Sequence, residues 1–179
     1  MVLGFLQRWS RRAEPPAAAL ANYRRVVERA RQPLWYEDGA VADDVDGRFD
    51  MLALMLSLLV LRLERDEADA AARAMVSALV ECFVADVDGS YREMGIGDLV
   101  IAKHMGRALE AWGGRLGAYR AALADGAARE AALAEVLARN LYRGRAVPAA
   151  ALAVAGNAVR AEAARLAALP LSAILAGKA

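Results

Sequence analysis

The sequence contains a single cysteine, Cys82, and a single histidine, His104, in 179 residues. One cysteine excludes a disulfide framework and a zinc site built from thiolates, and one histidine excludes most histidine-based metal sites. Cys82 lies between Glu81 and Phe83 in an apolar segment, where a packed, unreactive thiol is expected. No side chain is obviously paired with His104 for catalysis, so we interpret it as a helix-surface residue.

Long hydrophobic runs are also missing, although 58% of the residues are hydrophobic. Counting along the sequence gives 44 alanines, so much of that fraction consists of small side chains. The richest apolar run, residues 51–61, would span about 16 Å as a helix, about half the hydrocarbon thickness of a bilayer. The first twelve residues lack the basic start and long apolar stretch of a secretory signal. We therefore expect a soluble, cytosolic chain in which residues 51–61 form a buried helix.

Apolar residues recur at helical spacing through most of the chain, and no run alternates as β-strands do. The pattern predicts an all-α fold, a single compact domain of six or seven helices around a central apolar helix at about 47–63. A turn-rich acidic stretch is expected from Trp35 to Asp46, and a broken segment from Asp86 to Gly97.

The predicted domain organisation has three parts. They are a basic and apolar N-terminal segment (1–14), a helical domain (15–145), and an alanine-rich C-terminal helix and tail packed on that domain (146–179). The charge is distributed unevenly, with +5 over residues 1–32, −5 over residues 33–50 and +4 over residues 126–179. This alternation favours partner surfaces over bulk nucleic-acid binding, and no DNA partner is expected.

Two Asp-Val-Asp-Gly segments, 44–47 and 86–89, invite comparison with calcium-binding loops. Both lack an acidic residue at the first and last ligand positions of an EF-hand, so turn formation and helix capping explain the aspartates better. Asp43, Asp44 and Asp46 are too tightly spaced for a magnesium–diphosphate site. No catalytic set can be assembled, and neither an enzyme nor a cofactor is predicted.

The N-terminal segment combines apolar side chains, a tryptophan and arginines, a mixture typical of an anchor at a lipid surface. These residues are Leu3, Phe5, Leu6, Arg8, Trp9, Arg11 and Arg12. A basic tail, or a helix docked on the body of the protein, is the alternative interpretation.

Three stretches carry a resemblance to a known family. They are 43–52 (DDVDGRFDML), 88–98 (DGSYREMGIGD) and 114–119 (GRLGAY), with a weaker match at 137–142 (LARNLY). In this order they resemble the ubiquinol–cytochrome c chaperone family, the assembly factors for cytochrome b of the bc-type respiratory complex. Asp44 departs from the small residue expected there, and residues 147–179 carry no resemblance.

The resemblance implies a helical chaperone that binds newly synthesised cytochrome b, a very hydrophobic membrane protein, close to the membrane. It implies no cofactor and no reaction. Relatives in mitochondria work with a small partner protein and contact the ribosome. On this interpretation the protein is a bacterial member that is cytoplasmic and peripheral at the inner membrane. A different class of function, a peripheral module that binds a lipid or quinone, predicts a deep, closed apolar pocket.

The matched stretches supply the candidate partner-binding residues. They are Asp46, Arg48, Met51, Met55, Arg92, Glu93, Met94, Asp98, Arg115 and Tyr119. Asp46 and Asp98 are expected to cap the helices that follow them.

The charged members of this set form either a buried ion network joining the two glycine-containing turns or a polar rim around a client groove. The methionines, together with Met105, line such a groove or pack in the core.

Overall fold

The computed structural model describes residues 15–93, 98–124 and 129–179. Within them the chain forms eight helices and no strand, which confirms the all-α prediction. The helices are α1 (Ala17–Ala30), α2 (Pro33–Glu37), α3 (Val45–Glu64), α4 (Ala70–Glu93), α5 (Asp98–Leu123), α6 (Arg129–Asn140), α7 (Ala149–Ala168) and α8 (Leu171–Leu175). Two of the eight have only five residues, and the six longer ones correspond to the predicted helices.

Helix α3 lies at the centre of the fold, as its apolar sequence predicted. It packs against α1, α4, α5 and α7, and every residue from Ala53 to Val60 is buried. Each fully buried leucine contributes about 1.5–3 kcal/mol relative to an exposed one, so this helix anchors the core. Among the described residues, no helix combines the length and the hydrophobicity needed to cross a bilayer.

The start of α3 differs from the prediction that Asp46 is its N-cap. The capping residue is Asp44, whose Oδ1 atom accepts a hydrogen bond from the Gly47 amide at 2.7 Å. Asp46 is instead the second residue of the helix, because the helix begins two residues earlier than the apolar pattern indicates. Short helix α2 also occupies part of the predicted turn, with the Trp35 indole donating to the Arg29 carbonyl at 2.7 Å.

The predicted broken segment from Asp86 to Gly97 is wrong for residues 86–93, since α4 continues without interruption to Glu93, while residues 94–97 lie outside the described ranges. Gly89 has no neighbouring atom near the position of a missing Cβ, so its place in the helix reflects no steric demand. Burial of Val87 and an ion pair between Arg92 and Asp88 at 2.8 Å support the last turns. These contacts outweigh the low helix propensity of one glycine.

The C-terminal helices share the core of the rest of the chain. The Arg62 guanidinium of α3 donates to the carbonyl oxygens of Leu166 and Leu169 at 3.2 and 2.7 Å, which satisfies the exposed end of α7. Asn22 of α1 is fully buried and donates to the Ile174 carbonyl at 2.7 Å. Helices α7 and α8 are thus tied to α3 and α1 by polar contacts as well as by apolar packing.

Candidate functional site

A groove of about 580 Å³ lies where the C-terminal ends of α1 and α4 meet the N-terminal end of α3 and the side of α5. We call it the motif groove, because residues of the 43–52 and 88–98 stretches lie on its walls. Its lining comprises Val27, Ala30, Arg31, Tyr36, Val45, Asp46, Arg48, Phe49, Leu52, Asp86, Val87, Ser90, Tyr91, Glu93, Arg107, Ala108 and Arg143. The fold therefore brings together residues that are about forty positions apart in sequence.

The floor of the motif groove is apolar and is held in place from behind. The Phe49 ring lies 5.9 Å from the Phe83 ring, which in turn lies 5.9 Å from the Trp112 ring. The Arg115 guanidinium sits 5.5 Å from the Phe49 ring centroid. At the mouth of the groove Val45 is 67% exposed and adds apolar surface that a partner could cover. The groove thus offers apolar surface on a rigid support.

Behind the floor lies a buried charge cluster centred on Asp50, which is 1% exposed. Arg143 Nε and Arg115 Nη2 lie 2.6 and 2.7 Å from its two carboxylate oxygens, and Arg143 also reaches Asp46 at 2.7 Å. Burial raises the pKa of Asp50, and the two guanidinium groups offset part of this effect. The cluster joins α3 to α5 and to the end of α6.

Arg143 reaches this cluster from a left-handed backbone conformation, with φ of 53°. Gly144 follows at φ 73°, so the chain turns sharply after α6. The preceding residue, Tyr142, is fully buried and donates its hydroxyl to the Gly39 carbonyl at 2.5 Å. Burial raises the pKa of Tyr142 to about 12. A non-glycine residue in this region is strained, and here the ion pairs with Asp46 and Asp50 hold it.

The predicted buried network among Arg48, Arg92, Glu93 and Arg115 does not form as expected. Arg48 is exposed and pairs with Asp43 at 2.7 Å, and the exposed Arg92 pairs with Asp88 one turn earlier. Arg115 belongs to the buried cluster with Asp50 instead.

The rim alternative agrees better with the observed positions, because Arg48 and Glu93 both line the motif groove. The Arg48 guanidinium and the Glu93 carboxylate belong to the same lining as the apolar floor, as a polar rim requires.

Several predicted partner-binding residues lie in the core. Met51 and Met55 are at most 2% exposed and Met105 is 3% exposed, so these methionines pack inside the protein rather than lining a groove. Tyr119 is also fully buried, and its hydroxyl has no hydrogen-bond partner within the part of the chain that the structure describes. Burial raises its pKa well above the usual value. These side chains offer little surface for direct contact with a client, and their part in partner binding stays a prediction.

Other predictions fall on residues outside the description. Met94 and the N-terminal residues Leu3, Phe5, Leu6, Arg8, Trp9, Arg11 and Arg12 lie outside the described ranges. Helix α5 begins at Asp98, as predicted, while the capping role of its side chain stays a prediction.

The acidic residues just before α3 have structural roles. Asp43 pairs with Arg48, which lowers the pKa of Asp43, and Asp44 caps α3. Across the described ranges, no three His, Cys, Asp or Glu side chains cluster as metal ligands would. Cys82 is packed in the core, and burial raises the pKa of its thiol.

Sequence reasoning missed Asp50 and Arg143 as site residues. Asp50 carries a recognisable signal, since it directly precedes the apolar run 51–61 and a carboxylate buried there must find a partner. Arg143 carries none, because its partner lies 93 positions away.

Comparison with known proteins agrees with the sequence resemblance. The family model described as "Ubiquinol-cytochrome C chaperone" matches residues 37–179. The crystal structure of the Cbp3 homolog from Brucella abortus is similar to this chain, with 32% sequence identity and a TM-score of 0.77. The alignment covers 99% of this chain and 94% of that one. A search of curated proteins finds no significant match.

Proposed function

Since the chain belongs to the ubiquinol-cytochrome C chaperone family, we propose that it is an assembly chaperone of the bc-type respiratory complex. Its client on this proposal is newly synthesised cytochrome b, which it binds without carrying out a reaction. The observation that carries the proposal is the motif groove, in which two family stretches share an apolar floor and a charged rim. A chaperone of a membrane protein needs such a surface to shield apolar segments from water.

The chemistry of the motif groove fits a protein segment. Four arginines and three acidic residues line it alongside the apolar floor, so the rim carries both signs of charge. A segment entering the groove would cover Phe49, Leu52 and Val45 and place its own polar groups against the rim. A quinone or a lipid tail would favour a closed apolar pocket, and Val45 at the mouth is open to solvent.

Site-specific photo-crosslinking in host cells tests the proposal. A crosslinking residue at Val45, which is exposed at the mouth of the motif groove, should capture cytochrome b. The matched control is Ala74, which is exposed on α4 and does not line the groove. Equal capture from both positions, or capture from neither, would contradict the proposal. Capture of a lipid or quinone from Val45 would favour the peripheral-module function instead.

A position at the cytoplasmic side of the inner membrane belongs to the same proposal. It rests on the apolar and arginine side chains of the N-terminal segment and on the charge they bring to a lipid surface. Removal of residues 1–12 should abolish binding to anionic phosphatidylglycerol vesicles while the melting temperature stays nearly unchanged. Vesicle binding that survives the truncation would contradict this part of the proposal.

A further inference from the structure

A second groove lies at the other end of α3, between that helix, the C-terminal part of α5 and α7. Its volume is about 700 Å³. We call it the arginine groove after the residues at its edges. Its lining comprises Leu58, Leu61, Arg62, Glu64, Arg65, Arg120, Leu123, Ala124, Arg160, Ala163, Ala164 and Ala167. No motif of the 43–52 or 88–98 stretches contributes to it.

The charge of the arginine groove is one-sided, with four arginines against Glu64. Two of the arginines are committed to structure. Arg62 holds the end of α7, and Arg120 forms a two-pronged contact with Glu64 at 2.7 and 3.0 Å. Arg65 is exposed and forms no ion pair within the described ranges. Arg160 donates to the Asn157 Oδ1 atom at 2.6 Å, and its described ion pair is a long one, 3.7 Å to the highly exposed Glu130. Positive charge is therefore available to a partner at both edges.

The shape of the groove fits a helix. The α7 wall presents Ala163, Ala164 and Ala167, whose small side chains allow the backbone of another helix to approach closely. Leu61 and Leu123 are half-buried and supply apolar contact between the charged edges. Helices meet at interaxial distances of about 8–10 Å when the side chains at the contact are small or interdigitate.

We infer that the arginine groove docks an amphipathic helix of a partner protein whose polar edges are acidic. Apolar residues of that helix cover Leu61 and Leu123, and its carboxylates pair with Arg65 and Arg160. A membrane surface fits less well, because Leu61 and Leu123 are half-buried and do not present an exposed apolar face. The described lining also contains no aromatic ring on which a nucleic-acid base could stack.

The arginine groove is spatially separate from the motif groove. Helix α3 has 20 residues and is therefore about 30 Å long, and the two grooves lie at its opposite ends. The inference accordingly stands whether or not the motif groove binds cytochrome b. Both surfaces are free to be occupied at the same time.

A peptide-binding measurement with the full chain tests the inference. The probes are two helical peptides of about 18 residues with leucine and alanine on one face and glutamate on the other, or lysine in place of glutamate. Fluorescence anisotropy should show binding of the glutamate peptide only. The variant Arg65→Glu/Arg160→Glu should weaken that binding at least about tenfold, since two attractive edge charges become repulsive. Raising the salt concentration should weaken it further.

Matched variants separate this site from general charge effects. Arg24→Glu/Arg139→Glu changes the net charge by the same amount on exposed helix surfaces elsewhere, and should leave binding unchanged. Ala164→Trp fills the groove at an exposed position and should abolish binding, with the melting temperature as the check on folding.

The inference is overturned if neither peptide binds, if the lysine peptide binds equally well, or if the control variant weakens binding as much. Binding of phosphatidylglycerol vesicles or of single-stranded RNA that depends on Arg65 and Arg160 would also overturn it, in favour of those ligands.

Discussion

The tetrapeptide Asp-Val-Asp-Gly occurs twice in this chain and adopts two different roles within one groove. At 44–47 it starts α3, with Asp44 as the cap and Val45 67% exposed. At 86–89 it lies inside α4, where Asp86 accepts a hydrogen bond from the Tyr23 hydroxyl and Val87 is 7% exposed. Both copies line the motif groove, so local sequence alone does not decide what each contributes.

The surroundings of the two glycines account for the difference. A Cβ on Gly47 would lie 2.0 Å from the Ala42 carbonyl oxygen, because the chain before α3 folds back against the helix start. A Cβ on Gly89 would meet no atom within 4 Å. Tertiary packing therefore makes glycine necessary in the first copy, whereas the second tolerates it at a small cost in helix propensity.

The largest expected effect concerns the aspartates in and around the two copies. Asp50→Ala leaves two guanidinium groups without their buried carboxylate. We expect a loss of about 3 kcal/mol in the free energy of unfolding, the lower end of the range for buried pairs because Arg143 is partly exposed. Asp88→Ala removes only an i,i+4 pair and should cost about 0.3–0.5 kcal/mol. Urea denaturation measures both, and equal losses would contradict the distinction.

An intermediate effect is expected at the two glycines. Gly47→Ala should destabilise the protein by about 1–3 kcal/mol, because the new Cβ meets backbone that cannot move without shifting the start of α3. Gly89→Ala should instead stabilise it by about 0.5–1 kcal/mol through higher helix propensity. Thermal unfolding followed by circular dichroism would reveal the opposite signs. A stabilising Gly47→Ala would show that the observed packing at Ala42 is not rigid.

A smaller effect separates the two valines. Val87→Ala removes two buried methyl groups and should cost about 1–2 kcal/mol of stability. Val45→Ala should change stability by less than about 0.5 kcal/mol, since the side chain is mostly exposed. On the proposed function, Val45→Ala should nevertheless reduce the amount of cytochrome b that co-purifies with the chain. Unchanged co-purification would remove Val45 from the client surface.

Helical periodicity was sufficient to predict the six long helices and the central position of α3, because apolar spacing reports burial directly. It failed where one contact decided the outcome. Helix α2 depends on the buried Trp35 indole bonding to the Arg29 carbonyl, and α4 crosses Gly89 because Val87 packs inward. Such contacts join parts of the chain whose relative positions the local pattern does not contain.

The candidate site was predictable only in part for a related reason. The family stretches located Arg48 and Glu93, which do line one groove. The sequence of a helix that is apolar on every side does not, however, indicate which methionine faces a groove. In the structure Met51 faces the core. Of the two arginines that pair with Asp50, one lies on α5 and the other follows α6, so only the folded arrangement of α3, α5 and α6 identifies the cluster.

The hydrogen bond from Tyr142 to Gly39 has a consequence for the order of folding. It joins residues 103 positions apart, and Arg143 beside it reaches Asp50 across 93 positions. Closing so long a loop costs chain entropy before any contact repays it, so we expect these links to form late. The wall of the motif groove would then be completed after the α-helical hairpins that form from neighbouring segments. During synthesis, a chain that has not yet emerged beyond Arg143 would lack the finished groove.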